Sequence, residues 1–200
     1  MNIGKAIINY IRLALQASTP ATPETGYVNL YSKSGNLYLL GADGIEVQVG
    51  GSAARDYILV RDEMPSGTMG GVFPSGTWNT RRLTVVSSDF GGHCSLSSNQ
   101  ITLATGTYEF SAIVPAMNIE THQAALYNVT DDVYYYGTSS MSRDIDTAVS
   151  TIDGKFSISS PKVFEVRDYS NSGNGQAYGM GHPASSGQIE VYSVVKFWRE

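Results

Sequence analysis

The stretch that most constrains the fold is the last one, Ile189-Glu-Val-Tyr-Ser-Val-Val-Lys-Phe-Trp198, followed only by Arg199 and Glu200. It is rich in β-branched and aromatic residues and holds no Gly or Pro, which marks it as a strand. A period of two places Ile189, Val191, Val195 and Phe197 on one side, with Ser193 as the small polar member. Tyr192, Val194 and Trp198 take the other side, with Lys196 between them. A strand apolar on both faces needs cover on both. It is therefore expected at the centre of a β-sandwich, with one face in the core and the other against a second copy of the chain.

From Ala53 onward the sequence reads as strand after strand. The candidates are Asp56–Arg61, Leu83–Ser87, Ser95–Leu103, Gly106–Val114, Ala124–Val129, Val133–Tyr136, Ser150–Ile158, Lys162–Tyr169 and Gln188–Trp198. Turn material separates them at fairly regular spacing, the mark of a sandwich or barrel. The longest polar loops are Ser66–Asn79 and Ser170–Gly187.

Ahead of this lie two smaller pieces. Residues 2–17 carry Ile3, Ile7, Ile11 and Leu15 at i+4, which predicts a short amphipathic helix. Such a helix is marginal alone and needs a surface to pack on. Its stripe reads either as packing on the protein's own later domain or, as favoured here, as an anchor docking on a larger assembly. Residues 17–26, with Pro20 and Pro23, read as an extended linker. Tyr27–Ser32, Leu37–Leu40 and Ile45–Val49 then form three short strands joined by Gly-containing turns, a β-meander too small to carry its own core. The expected division is an anchoring helix and linker over 1–20, a meander over 21–51 and the main domain over 52–200. The meander is expected to be stabilised by packing with those of other copies.

Composition excludes several classes. The net charge of −5 and the lack of any Lys/Arg block longer than Arg81-Arg82 leave no nucleic-acid footprint. No run of about 18 apolar residues is present to span a membrane. The N-terminal apolar run is broken by Asn9, Tyr10 and Arg12, which argues against a secretory segment and for a protein made and assembled inside a cell. The single cysteine, Cys94, reads as a small buried hydrophobe. His93 beside Cys94 lacks a third ligand at metal spacing, and His122 reads as a structural histidine. Neither Asp131-Asp132 nor Asp144 with Asp146 has the spacing of a Ca²⁺ loop. No cofactor and no catalytic constellation is expected. For binding, the Tyr-bearing segments Asp131–Gly137 and Tyr169–Tyr178 stand out, with Tyr134, Tyr136, Asn174 and Tyr178 as candidate contacts. The plainer alternative makes Tyr135 core and the Gly-rich loop a span across a sheet end.

Two segments carry a resemblance. Ile101-Thr-Leu-Ala-Thr-Gly-Thr-Tyr-Glu-Phe110 resembles the strand-to-strand segment of C1q-like and TNF-like jelly rolls, with Gly106, Tyr108 and Phe110 at the matching positions. Residues 22–38, followed by Gly41-Ala-Asp-Gly44, look like the small β element that precedes the distal domain of many tailed-bacteriophage fibre and decoration proteins. The layout of residues 22–200 is similar to such proteins, although no collagen-like repeat precedes the main domain and the chain ends Lys196-Phe-Trp-Arg-Glu200. The resemblance implies an all-β jelly-roll sandwich, preceded by the meander and helix, in a homotrimer. It implies a virion protein, made in the host cytoplasm, that contacts other virion proteins of capsid, portal, neck or tail and attaches to a host-surface glycan or decorates the particle. On this reading Ile3, Ile7, Ile11 and Leu15 anchor the particle, and Tyr108, Phe110, Tyr192, Val194, Phe197 and Trp198 form core and trimer contacts. The competing reading is a carbohydrate-active enzyme drawing on Asp62, Glu63, Glu109 or Glu165.

Overall fold

The computed structural model describes residues 15–16, 18–49 and 55–200, which fall in two compact units, Met1–Ala54 and Arg55–Glu200. In the first unit β1 (Leu15–Gln16), β2 (Val28–Lys33), β3 (Asn36–Gly41) and β4 (Glu46–Val49) form one sheet in that order. Ser34 and Gly35 both take positive φ, 52° and 80°, which gives the tight two-residue hairpin between β2 and β3. Tyr31 and Leu40 are the buried apolar side chains, and the Tyr31 ring stacks on Tyr38 at 5.7 Å. Glu46 ties the sheet together. It accepts hydrogen bonds from Lys33 Nζ at 2.6 and 2.8 Å, from Thr19 Oγ1 at 2.7 Å and from the Tyr31 hydroxyl. Lys33 first, then Tyr31 and Thr19, hold the Glu46 carboxyl down at about 2.

The helix expected over residues 2–17 lies almost wholly outside the described residues, Ile3, Ile7 and Ile11 with it. Where its end is described it is corrected: Leu15 and Gln16 pair in parallel with Ser32 and Lys33. The open edge of β2 supplies backbone partners that a last helical turn would leave unused.

The second unit is all β among its described residues. Its strands are β5 (Asp56–Met64), β6 (Asn79–Thr80), β7 (Val85–Asp89), β8 (Cys94–Ser97), β9 (Gln100–Leu103), β10 (Gly106–Met117), β11 (His122–Asn128), β12 (Val133–Ser140), β13 (Thr147–Ile158), β14 (Lys162–Tyr169) and β15 (Glu190–Arg199). One sheet runs β13-β10-β15-β5-β7 and the other β12-β11-β14-β9-β8, with β6 on β14. Chain neighbours β9 and β10, β10 and β11, β12 and β13, and β14 and β15 each lie in different sheets, the alternation of a jelly roll. β10 and β13 pair in unbroken register from Gly106↔Ile158 to Met117↔Thr147.

Alternation dictates what meets in the middle. Ile58, Val60, Tyr108, Phe110, Ala112, Val114, Ile152, Phe156, Val195 and Phe197 face inward from the first sheet. Ile101, Leu103, Ala124, Leu126, Phe164 and Val166 meet them from the second. Tyr135 packs edge-on against Phe110 at 5.4 Å, so the central tyrosine of the triplet belongs to the core. Gly154 is required here: a Cβ would sit 2.6 Å from the Phe110 ring. Burial inside one protomer also decides the role of two residues expected to share core and trimer contacts. Tyr108 is 0% exposed and donates its hydroxyl to the Ala104 carbonyl at 2.8 Å, and Phe110 is 3% exposed.

β15 sits between β10 and β5, the central place expected of it. Its alternation breaks once. A bulge between Val191 and Val194 resets the pleat, leaving Ile189 and Val191 exposed while Glu190 turns inward. The grouping of Ile189 and Val191 with Val195 and Phe197 is thereby corrected. Glu190 accepts backbone N–H bonds from Gly67, Ala184 and Ser185 at 2.9 to 3.0 Å, joining two loops, and these hold its carboxyl below the usual range. Tyr192 is covered by loops: a Cβ on Gly181 would meet its ring at 2.2 Å, and its hydroxyl donates to the Thr68 carbonyl. A second interruption splits the expected strand 95–103. Ser98 and Asn99 take φ of 51° and 66° and turn it into the β8–β9 hairpin.

The two long loops lie against each other through Phe73↔Asn174 pairing and bonds of 2.7 to 2.9 Å between Gly70, Gly71, Ala177, Met180 and Gly181. Phe73, Ala116 and Ile119 form a small second core beneath them. Arg81 fixes this end to both sheets. Its guanidinium donates to Asp168 Oδ2 on β14 at 3.1 Å, to Ser193 Oγ on β15 at 3.1 Å and to the Met180 carbonyl at 2.8 Å. Arg81 and Asp168 are 1% and 0% exposed. Burial pushes the Asp168 carboxyl up to about 6, with Arg81 pulling against it.

Arg81→Met leaves a buried carboxylate without its cation and is expected to cost about 3–5 kcal/mol of unfolding free energy at mildly alkaline pH. Because the folded-state value of Asp168 is raised above its unfolded one, the folded form takes up the proton first. Its destabilising contribution therefore grows as pH rises through about 6 and fades below it. Urea titrations of the variant should show part of the loss recovered in acid; a loss that does not change with pH would contradict this account. In the first unit the sign is opposite. The depressed Glu46 contributes stability present above the ordinary glutamate range and lost as pH falls toward about 2. Lys33→Met should move the Glu46 titration midpoint upward, read by carboxyl NMR.

Candidate functional site

The outward face of the second sheet gathers aromatic side chains around one ion pair. Tyr134 and Tyr136, two residues apart on β12, point the same way and stack at 5.5 Å with an interplanar angle of 8°. Tyr127 lies directly opposite Tyr134, 4.3 Å between centroids. The Trp78 ring comes from the loop before β6 and lies 5.4, 5.9 and 5.7 Å from Tyr134, Tyr136 and Tyr169. Asn79 positions that loop by donating to the Pro74 and Thr77 carbonyls at 3.1 and 3.0 Å, and Asn79 and Thr80 pair with Asp168 and Arg167. Ala125 shares the outward parity of Gln123 and Tyr127 yet is 0% exposed, so the rings close over it.

Arg167 holds the arrangement. Its guanidinium lies 3.7 Å from the Tyr127 centroid, donates to the Tyr134 hydroxyl at 2.8 Å and donates from Nε to Glu165 Oε2 at 2.8 Å. Burial pushes the Glu165 carboxyl up, but hydrogen bonds from Gln100, Arg167 and Thr80 outweigh it and hold the group ionised below the usual range. Beside Tyr169 the sheet edge opens into a hollow of about 250 Å³ lined by Thr121, His122, Gln123, Ser139, Ser140 and Tyr169. Burial, with Arg81 second, lowers the His122 imidazole to about 3, so it is neutral.

Of the candidate contacts, Tyr134 and Tyr136 fall within this cluster. Asn174 and Tyr178 do not join it. Asn174 is buried and spends its amide on the Met117 carbonyl at 3.1 Å, while Tyr178 packs near His182 in its own loop. Sequence reasoning missed Trp78, Tyr127 and Arg167, and took in Tyr169 only as the end of a candidate loop. For Tyr127 and Arg167 the signal existed, since each follows an inward apolar residue, Leu126 and Val166, in an alternating strand. Trp78 sits in a loop without periodicity, and nothing local tied it to Tyr134.

The outward face of the first sheet is different. Trp198 and Tyr57 face each other across β15 and β5 at 5.8 Å, and Val194 lies opposite Ile113 on β10. Leu59 and Val149 extend this band onto β5 and β13. Phe197 and Trp198 point to opposite sides of the strand, 0% exposed and half-buried respectively.

The acidic residues weighed for catalysis are each paired separately. Arg82 donates to Asp62 at 2.8 and 3.1 Å, Arg61 pairs with Glu63, Arg55 with Glu109, and Arg167 with Glu165. Burial pushes the Cys94 thiol up to about 12, a protonated side chain rather than a nucleophile. Among the described residues no group of three His, Cys, Asp or Glu stands ready for a metal, and no helix is long and apolar enough to cross a membrane.

The fold is a jelly-roll β-sandwich whose first sheet presents outward an apolar group of Tyr57, Leu59, Ile113, Val149, Val194 and Trp198 interrupted by Lys196 and Ser111, and whose second presents an aromatic-polar face. By sequence, no family model matches the chain and no curated protein matches it. By structure, the chain is similar to the globular domain of the zebrafish complement 1qA protein, with 12% identity, a TM-score of 0.46, and 73% of this chain and 99% of that one covered. It is also similar to murine APRIL at pH 8.0 and at pH 5.0, with 8% and 9% identity, TM-scores of 0.48, and the same shares covered. The strand order is that of the jelly roll expected from Gly106, Tyr108 and Phe110.

Conservative change at the ion pair should separate stacking from charge. Arg167→Lys removes the planar donor that bridges Tyr134 and Glu165. It is expected to raise Tyr134 mobility, seen as sharper, shifted ring NMR signals, with a stability loss of about 1 kcal/mol.

Proposed function

We propose that this protein is a non-enzymatic structural protein of a bacteriophage virion, a homotrimeric fibre or decoration protein held to the particle by its N-terminal region and projecting the sandwich outward. The observation that carries self-association is the outward face of the first sheet. Its central strand presents Trp198 and Val194 beside Tyr57 and Ile113, and Ile113 and Val149 are each 43% exposed in the single chain. An apolar band across the middle of a sheet is the surface a second copy would cover, and obligate interfaces of that kind bury roughly 2,000–5,000 Å². The first unit supports the same reading: among its described residues the buried apolar side chains are Tyr31 and Leu40, while Tyr27, Val28, Ile45 and Val47 are exposed. A virion role rests on the order of anchor segment, proline-bearing linker, meander and sandwich, and on the resemblance of residues 22–200 to phage fibre and decoration proteins.

The carbohydrate-active enzyme fits less well. Glycosidases place two carboxyl groups about 5–9.5 Å apart. Glu63 and Glu109 lie opposite Val191 and Trp198 on β15, roughly 20 Å apart at about 3.4 Å per residue, and Glu165 faces out from the other sheet.

Native mass spectrometry is expected to show a trimer, and a stable monomer would overturn that part of the reading. Phe197→Ala should lower protomer stability by about 3–5 kcal/mol, because it empties a core position. Trp198→Ala should mainly weaken association, read as a concentration-dependent shift toward monomer. Equal effects of the two on both quantities would refute the division of faces. Deleting residues 1–20 should leave a soluble trimer that no longer joins its particle, scored by imaging assembled virions.

A further inference from the structure

We propose that the aromatic face of the β12-β11-β14 sheet and the hollow beside Tyr169 together bind an uncharged glycan, one sugar ring lying against Tyr136 and Trp78 and a neighbouring one entering the hollow. The proposal rests on reading the sandwich as a binding module, and it does not require a trimer.

Three features select the occupant. The first is shape. Tyr136 is 59% exposed, and the Trp78 indole stands between it and Tyr169, so apolar ring surface leads up to a hollow whose mainly apolar wall carries the polar atoms of Thr121, Gln123, Ser139 and Ser140. A pyranose has the matching form, with flat C–H faces for the rings and a rim of hydroxyls for the cavity. The cavity of about 250 Å³ is below the roughly 300–1,000 Å³ of sites for drug-sized ligands, and suits a single sugar.

The second is charge. Arg167 is neutralised by Glu165 and Lys162 by Asp131, so the cations of this face are already paired. A nucleic acid needs unpaired cations for its phosphates. A protein partner would favour a continuous apolar centre, whereas Ser139 and Ser140 line the hollow beside Tyr169.

The third is unspent hydrogen-bonding capacity. Among the described residues, the Trp78 indole N–H, the Tyr136 and Tyr169 hydroxyls and the Gln123 side-chain carbonyl have no protein partner, although Gln123 Nε2 is fixed on the Gly137 carbonyl at 3.1 Å. His122 lines the hollow at 1% exposed with Nε2 buried and unpartnered. The other ring nitrogen, Nδ1, faces Ser140 Oγ at 3.5 Å on the wall of the hollow, and a sugar hydroxyl, which acts as either donor or acceptor, can serve each of the unspent groups that solvent reaches. The surrounding scaffold is rigid: two strands carry the tyrosines, and Asn79 and β6 hold Trp78. Binding would therefore need little ordering.

The test titrates the intact protein with neutral oligosaccharides of glucose, galactose, mannose and N-acetylhexosamine types, followed by tryptophan fluorescence and calorimetry. Heparin and single-stranded DNA serve as charged probes. At least one neutral type is expected to bind saturably, weakened roughly tenfold or more by Tyr136→Ala and by Trp78→Ala, as befits aromatic anchors. Tyr136→Ala removes an exposed ring and keeps the fold, so it remains informative if Trp78→Ala does not fold. Trp198→Ala, on the other sheet, should bind normally. Failure of every neutral type, preference for a charged probe, or unaltered binding by Tyr136→Ala would overturn the proposal. Oligomeric state measured on the same sample keeps the two readings apart: a trimer that binds no neutral glycan sinks this site alone, and a monomer that binds one sinks only the trimer.

Discussion

The sandwich depends on a guanidinium placed where both sheets and a long loop need a partner. Arg81 reaches Asp168 on one sheet, Ser193 on the other and the Met180 carbonyl of the loop that closes the end. Apolar contact between two sheets is non-directional and tolerates sliding. A buried charge with three fixed acceptors does not, because each displaced acceptor leaves an uncompensated charge. The register of the sheets and the course of the 170–187 loop are therefore specified together. From this end outward the structure follows: Phe73 and Asn174 pair, the loops cover Tyr192, and Glu190 fastens Gly67 to Ala184 and Ser185.

Much of this was legible in the order of residues, for reasons that differ by element. β10 and β14 are recognisable because their inward residues, Tyr108, Phe110, Ala112, Val114 and Phe164, Val166, repeat with a period of two. β15 is legible as central because it is apolar on both sides, and the opposite destinations of Phe197 and Trp198 follow from parity alone. Parity fails where a bulge intervenes, and no local feature of Val191 to Val194 announces one; the bulge answers to Glu190, whose partners are at Gly67 and Ala184. Leu15 misled for a related reason. Its i+4 spacing suits a helix, but β2 offers an open edge.

The aromatic face was half legible. Tyr134 and Tyr136 declare themselves in a run of three tyrosines, and their alternation with Tyr135 tells which ring is core. What organises them is remote in sequence: Trp78 comes from a loop more than fifty residues earlier, and Arg167 from a strand after the next. Such convergence is a property of topology. Asn174 shows the converse, a loop residue of binding-type composition whose amide is consumed by the Met117 carbonyl.

The placement of the two outer surfaces on opposite sheets has a consequence for valency. A protomer that associates through β15 and its neighbours leaves Trp78, Tyr134 and Tyr136 directed away from the contact. Copies joined in this way would present identical aromatic faces at fixed separations on a common frame. Local concentration after a first contact is then set by the sandwich's thickness and not by a flexible tether. Individually weak contacts of a few hydrogen bonds and two rings can thus yield long attachment to a repetitive surface while each contact exchanges rapidly.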